Sequence, residues 1–456
     1  MLIKCVNGLL AAAALVHLGA LAAPCAPGRL CAPNEANTSA PQEHPKAEDV
    51  VAAQKAAATA VQPAPVVTPA AQTQPVASPS LPPTPSNTLP AASPNSLPTA
   101  APILVPGAPD KPVSAAPAAK PVTRIALLLP LRSESLGPPS EALRAGFMAA
   151  FERDRDGFII NVVEGGDSPE ETVQAYKKAL TENDLVVGPL ARSAVGAIAA
   201  SGAVSKTTIA LNYPDSRGGV EHNIPPKMLV MGLSIEDEAR QVAQWAGTSH
   251  PGATALIVAG ANAWQRRIAT AFAAHWKQLG FPSQTVEIAA NNGYLSEAAL
   301  NQLKLKIETE PPGLLFAAMD ADQLRQVRSI LGTSLPGYGT SSVNPGSEPG
   351  MAMAELDGMN MLDMPWQVNP DHPAVMVYPR WTATRRSLDF DRLYALGIDA
   401  FRVAREITLR PGAPFQLDGV TGKLNVAFGA GPARFERVQP VMLYQGGVFK
   451  APARKR

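Results

Sequence analysis

The sequence predicts an α/β protein of two lobes, each a parallel sheet covered by helices, preceded by a long stretch that cannot form a core. Short continuous apolar runs such as "RIALLLPL" (Arg124 to Leu131) read as strands buried on both faces. They alternate with amphipathic stretches of about ten residues or more, as parallel βαβ units require. The alternation runs once through the first half of the folded region and then restarts after "MLVMGLS".

The elements follow in order. After "RIALLLPL" comes the helix "SEALRAGFMAAFERD", with Leu143, Gly146, Phe147, Ala150 and Phe151 on one side. Next are the strand "FIINVVEGG", the helix "PEETVQAYKKAL", the strand "DLVVGPL", the helix "RSAVGAIAASG" and the strand "TTIALNY". The second half repeats the scheme. Helices "IEDEARQVAQWAG", "AWQRRIATAFAAHWKQLG", "LSEAALNQLKLKI" and "DADQLRQVRSILG" separate strands "ATALIVAG", "QTVEIA" and "GLLFAAM". A last helix, "RLYALGIDAFRVAREITL", carries one apolar face of Leu393, Leu396, Ala400, Val403 and Ile407. Gly397 and Asp399 sit at its centre, against the usual preferences of a core helix. The expected lobes are 122–234 with 366–410, and 235–365 with 411–456. Ligands of such folds gather beyond the carboxyl ends of the strands, here between the lobes.

The region ahead of these elements has a different character. No aromatic residue occurs before Phe147. Lys4, the apolar run "GLLAAAALVHLGALAA" and Ala20-Leu21-Ala22 read as an export signal over residues 1–22. Residues 23–121 are rich in Ala, Pro, Ser, Thr and Gln, too poor in apolar surface to offset chain entropy. Such a tether, extended at about 3.1 Å per residue, reaches more than about 200 Å. The 3 cysteines are Cys5 in the signal and Cys25 and Cys31 just after it, so the folded region has neither a disulfide nor a thiol nucleophile. Pro24 stands where a lipoprotein signal wants a small residue, which points away from lipidation of Cys25 and towards a periplasmic protein. A Cys25–Cys31 disulfide and two free thiols remain open alternatives.

The charge balance, 39 Lys plus Arg against 38 Asp plus Glu, gives no electrostatic basis for nucleic-acid binding. The folded part contains no G-x-S-x-G, H-E-x-x-H, P-loop or G-x-G-x-x-G pattern. "GVTGK" (Gly419 to Lys423) lacks the P-loop spacing. His222, His250, His275 and His372 form no metal-ligand pair at helical spacing, and His275 beside Trp276 reads as structural. Glu236, Asp237 and Glu238 fall in the first turn of a helix, where they complement its dipole. The expectation is a protein without catalytic residues, metal or cofactor.

The ordered set "LVVGPLARSAV", "IALNYPD", "MGLSIEDEARQVAQWA", "LDMPW" and "RLYALGIDAFRVA" followed by "LDGVTGKLNV" resembles the penicillin-binding protein activator family, the LppC/LpoA lipoproteins. The resemblance spans roughly Arg124 to Val448 and implies a type I periplasmic-binding-protein fold without enzymatic activity. It implies as partner a class A penicillin-binding protein, a peptidoglycan synthase, activated from the outer-membrane side. Two departures stand out: Pro24 precedes Cys25, and the tether replaces the helical-repeat domain of larger members.

Particular residues then acquire expected roles. Ser193, in "GPLARSAV", either caps its helix or, as in amino-acid-binding relatives, holds a ligand carboxylate. Arg132 is a second cleft candidate. Asn212 and Tyr213 end a strand, so they either face the cleft or turn the chain into Pro214. Trp366, in "LDMPW", is assigned to hinge packing, with a partner anchor as the other reading. Gly397 allows close approach of another element. Asp399 either pairs with Arg402 in solvent or accepts hydrogen bonds from backbone N–H groups near the hinge, as the family resemblance implies. The functional alternative to a synthase activator is a receptor for an amino-acid-like small ligand in the interlobe cleft.

Overall fold

A computed structural model describes residues 122–215, 223–346, 353–382 and 387–452. The expected signal and tether, with Cys25 and Cys31, lie outside these residues, as does His222.

β1 (Thr123–Leu129) shows why its apolar run is unbroken. Ile125, Leu127 and Leu129 enter one core while Ala126 and Leu128 enter another, so both faces of the strand are covered. The chain continues through α1 (Gly137–Arg153), β2 (Phe158–Glu164), α2 (Pro169–Glu182), β3 (Leu185–Val187), α3 (Arg192–Ala200), β4 (Thr207–Ala210) and β5 (Met228–Val230). The strands form a 5-stranded parallel sheet in the order β2-β1-β3-β4-β5. α2 starts at a capping box, in which Ser168 and Glu171 satisfy each other's backbone N–H groups.

The second half comprises α4 (Ile235–Ser249), β6 (Ala255–Gly260), α5 (Ala263–Gln278), β7 (Ser283–Ile288) and a short hairpin of β8 (Ala290–Asn291) and β9 (Tyr294–Leu295). It goes on through α6 (Glu297–Thr309), β10 (Leu314–Ala318), α7 (Ala321–Leu331), β11 (Gly337–Gly339) and β12 (Met359–Leu362). After the short α8 (Pro365–Val368) and α9 (Pro373–Met376), the long helix α10 (Leu388–Leu409) returns to the first sheet. β13 (Phe415–Asp418), β14 (Lys423–Ala427) and β15 (Arg434–Val438) form a small antiparallel sheet, and β16 (Val441–Gln445) and β17 (Val448–Lys450) close the chain. The second large sheet has 7 strands in the order β17-β16-β12-β11-β10-β6-β7. It is parallel except at one edge, where β16 and β17 join antiparallel.

The stretch 411–456, expected in the second lobe, divides between the two. Phe415, Leu424 and Val426 of the small sheet join the core of the first lobe, whereas β16 pairs with β12 in the second. The reason is the alternation of β14, whose apolar residues need an apolar cover, and α10 supplies it. That also explains a difference in α10. Its centre is buried all round, from Tyr394 to Phe401, where the sequence shows a single apolar face.

The tightest helix contact lies between α1 and α10. A Cβ on Gly397 would collide with the Leu143 carbonyl oxygen, and one on Gly146 with that of Tyr394. Two glycines, one on each helix, thus let the backbones approach. Phe401 fills the space beside this crossing, edge-on to Phe147 at 5.4 Å, Phe151 at 5.7 Å and Phe158 at 5.9 Å.

Candidate functional site

The chain passes between the lobes at Met231–Ser234, Asp363–Trp366 and Val438–Val441, and polar side chains of unusual burial gather around these crossings. Asp399 is fully buried on α10. Its carboxylate accepts from Val420 N at 3.1 Å, Thr421 N at 2.8 Å and the Thr421 hydroxyl at 2.7 Å. Arg402, one turn on, reaches the same carboxylate at 3.2 Å. The "DGVTG" turn is therefore folded around a buried anion. Gly419 is needed there because a Cβ would lie 2.6 Å from Asp399 Oδ2.

Thr421 passes the contact on. Its Oγ1 accepts from Arg437 Nε at 2.9 Å, and Arg437 donates to Gly232 O at 2.8 Å and Met231 O at 3.1 Å. Burial lowers the pKa of Arg437. A hydrogen-bonded chain thus runs from α10 through the turn to the first crossing.

A second cluster joins α10 directly to the other lobe. Arg392 donates to Asp363 Oδ2 and to the Ser341 carbonyl, each at 2.9 Å. Burial alone would lower the pKa of Arg392, but Asp363 beside it reverses the direction and raises it. Asp363 also accepts from Asn344 Nδ2 at 2.7 Å and Met364 N at 2.8 Å. Glu238 is 7% exposed and accepts from Ser341 N at 3.0 Å and Gln439 Nε2 at 3.2 Å. Burial first, then the charge of Asp363, raises its pKa. The first-turn position of Glu238 suits the helix dipole, yet its carboxyl is committed to the hinge.

The residues expected in the cleft do not converge on one cavity: Tyr213 lines a space of about 880 Å³ between β5 and the small sheet, which Arg132, Ser193 and Asn212 do not reach. Ser193 is exposed in α3 and does not cap it, since the N-cap is Ala191. It lines a space of only about 10 Å³, bounded also by Pro130, Gly165, Asp167 and Pro189. That is room for about one water, against about 300–1,000 Å³ for a ligand pocket. Arg132 is exposed in the turn after β1. Asn212 is committed to the backbone: its Nδ2 donates to Leu190 O at 3.1 Å and its Oδ1 accepts from Tyr213 N at 2.9 Å. Tyr213 alone of the four reaches across, donating to Asp237 Oδ2 at 3.2 Å. Burial, then the neighbouring Asp237, pushes its phenol up to about 12.

Trp366 is 1% exposed, inside the first-lobe core, with its ring 5.3 Å from that of Tyr394. The Arg380 guanidinium lies 4.2 Å over the ring and donates to Trp366 O at 2.6 Å. A surface anchor for a partner would need this ring exposed. Sequence reasoning missed Thr421, Arg437, Arg392, Asp363 and Glu238. The available signals were local: the "DGVTG" turn after an apolar helix with an interior Asp, and Arg392 one turn into that helix. Among the described residues, no group of His, Cys, Asp and Glu is placed to hold a metal ion.

With this geometry in view, comparison with known proteins places the chain. The family model described as "LppC putative lipoprotein" matches residues 100–430. The chain belongs to this family. "Penicillin-binding protein activator LpoA" of Haemophilus ducreyi is 26% identical over 342 residues, covering 72% of this chain and 54% of that protein. The protein of the same name from Edwardsiella ictaluri is 25% identical over 322 residues, covering 61% of this chain and 44% of its own length. The chain spans about half the length of the curated relatives it matches. Among solved structures, the LpoA (YraM) C-domain of Haemophilus influenzae, described as a regulator of PBP1A, superimposes with a TM-score of 0.56. It is 21% identical, and the match covers 73% of this chain and 100% of that one. A Chromobacterium violaceum protein described as a "putative branched-chain amino acid ABC transporter" is 32% identical, with a TM-score of 0.58 over 71% of this chain and 100% of that one. The fold is the two-lobed type I periplasmic-binding-protein fold.

Proposed function

We propose that this chain is a non-enzymatic regulator in the cell envelope that binds a class A penicillin-binding protein and raises its synthesis of peptidoglycan. The observation that carries this reading is the family match across the two-lobed unit, with relatives named as activators of a penicillin-binding protein. The site geometry supports it. Among the described residues, its buried charges Asp399, Arg437, Arg392, Asp363 and Glu238 are committed to one another and to backbone groups that tie the lobes. We place the mature protein in the periplasm, with Cys25 not lipidated because Pro24 precedes it.

Activation requires tighter binding to the active state of the synthase than to the inactive one, and a fivefold shift needs only about 1 kcal/mol of difference. The test is glycan-chain polymerisation and crosslinking by the cognate synthase, with and without the purified full chain. Stimulation with the synthase, and no change to peptidoglycan alone, is the expected result. Failure to bind or stimulate the synthase would overturn it.

The likeness to the Chromobacterium violaceum protein favours a second reading, a receptor for an amino-acid-like solute. That reading predicts an amino acid that raises the melting temperature and changes the lobe angle. The space of about 10 Å³ beside Ser193 leaves no room there for the ligand carboxylate that this reading assigns to it.

A further inference from the structure

We propose that a cavity on the flank of the hinge, separate from the interlobe cleft, is a binding site for a short neutral saccharide. It has a volume of about 1010 Å³, comparable with the upper range of small-molecule sites, about 300–1,000 Å³. Pro336 and Tyr338 come from the start of β11 and His250 from the C-terminal end of α4, so the cavity is not at the carboxyl ends of the strands.

Its two walls differ in chemistry. The second lobe presents the half-buried ring of Trp245, held edge-on at 5.1 Å by the buried Tyr338, whose hydroxyl lies 3.0 Å from His250 Nε2. The first lobe and its small sheet present Asn369, His372, Asp418 and Lys423. His372 accepts from Ala374 N through Nδ1, which leaves Nε2 to carry its proton towards Asp418 at 3.6 Å. Among the described residues, the side chains of Asn369 and Lys423 make no hydrogen bond.

These groups select a class of ligand. One carboxylate and one ammonium balance each other, so no net field attracts a phosphate or a polycation. Donors and acceptors are interleaved opposite an aromatic wall. That combination suits a ring with hydroxyl groups at its rim and an apolar face, which stacks on an aromatic side chain while its rim is hydrogen-bonded. Prolines 336, 365, 440 and 452 hold the backbone around the cavity, which lowers the ordering cost of binding. Both lobes contribute walls, so an occupant is in contact with both sides of the hinge.

The choice of an N-acetylated sugar as probe rests on the proposed cell-wall role, whereas the test reads binding alone and needs no synthase. Triacetylchitotriose is titrated into the full chain, following heat and tryptophan emission. Saturable binding is expected, weakened about tenfold or more by Trp245→Ala and measurably by Asn369→Ala and Lys423→Met. The last two positions are exposed, so these variants keep the fold if Trp245→Ala does not. No saturation up to ~10 mM, or binding unchanged in both exposed variants, overturns the proposal. Neither outcome bears on whether the synthase is activated.

Discussion

Asp399→Asn tests how the hinge is built, because the wild-type carboxylate accepts three donors from a single turn. Asparagine keeps the shape but turns one acceptor into a donor. Whichever way the amide faces, its NH2 meets Val420 N–H, or else meets the N–H and hydroxyl of Thr421. At least one buried donor then loses its partner, at about 1–3 kcal/mol each. Arg402 and Arg437 also lose the charge they face, so the total is on the order of 2–5 kcal/mol. For a unit of this size we expect the melting temperature to fall by roughly 3–7 °C. Arg402→Ala is the control. Arg402 reaches Asp399 at 3.2 Å from the edge of the site, and without it the carboxylate keeps all three donors of the turn, so the loss should be smaller than for Asp399→Asn. Scanning calorimetry of both variants separates the roles. If Asp399→Asn melted within a degree or so of Arg402→Ala, the buried clasp would be the wrong account.

Gly397→Leu should destabilise by roughly 1–3 kcal/mol or more, since Leu143 and Phe147 backbone atoms occupy the space; an unchanged chemical denaturation midpoint would reject this. Glu238→Gln should alter the pH dependence of stability. Burial raises the folded pKa of Glu238 above its ordinary value of 4.5, so its stabilising proton uptake is complete below that value and lost as pH rises through the raised one. Wild type should therefore lose melting temperature from pH 4.5 upward relative to the Gln variant, and parallel profiles would count against it. Gln fits the site because Gln439 Oε1 is buried without a partner and can accept its NH2. Arg392→Met leaves the buried Asp363 carboxylate without its cation, and urea titration should show a loss of about 3–5 kcal/mol.

Much of the fold was legible because β1, β6 and β10 are covered on both faces and leave unbroken apolar runs. The affiliation of β13 to β15 was not. A short antiparallel sheet alternates in the same way whichever lobe covers it, and only contact with α10 decides. The two-glycine crossing was half visible: Gly397 stands out inside a helix, but nothing in sequence pairs it with Gly146, 251 positions earlier by the numbering. The buried charges were the least legible. Glu238 has the signature of a dipole-complementing first-turn acid, and Arg392 that of a solvated face. Their burial follows from a second lobe that no local pattern announces.

The hinge chemistry bears on which class of function the fold serves. Lobe closure on a solute requires the crossings to bend at small cost, which favours hinges that absorb rotation without breaking bonds. Here Tyr213 is tied to Asp237, Arg392 to the Ser341 carbonyl, and Gln241 to the Arg437 carbonyl, all from one lobe or its crossing to the other. A change of lobe angle has to break several of these together, leaving buried charge uncompensated until new partners are met. A regulator that acts by docking faces the opposite requirement. It gains from surfaces already in place, because ordering lost on binding subtracts from affinity. A two-lobed frame with its crossings tied by Asp399, Arg437 and Arg392 is suited to holding such a surface. The same ties would oppose the motion on which a solute receptor depends.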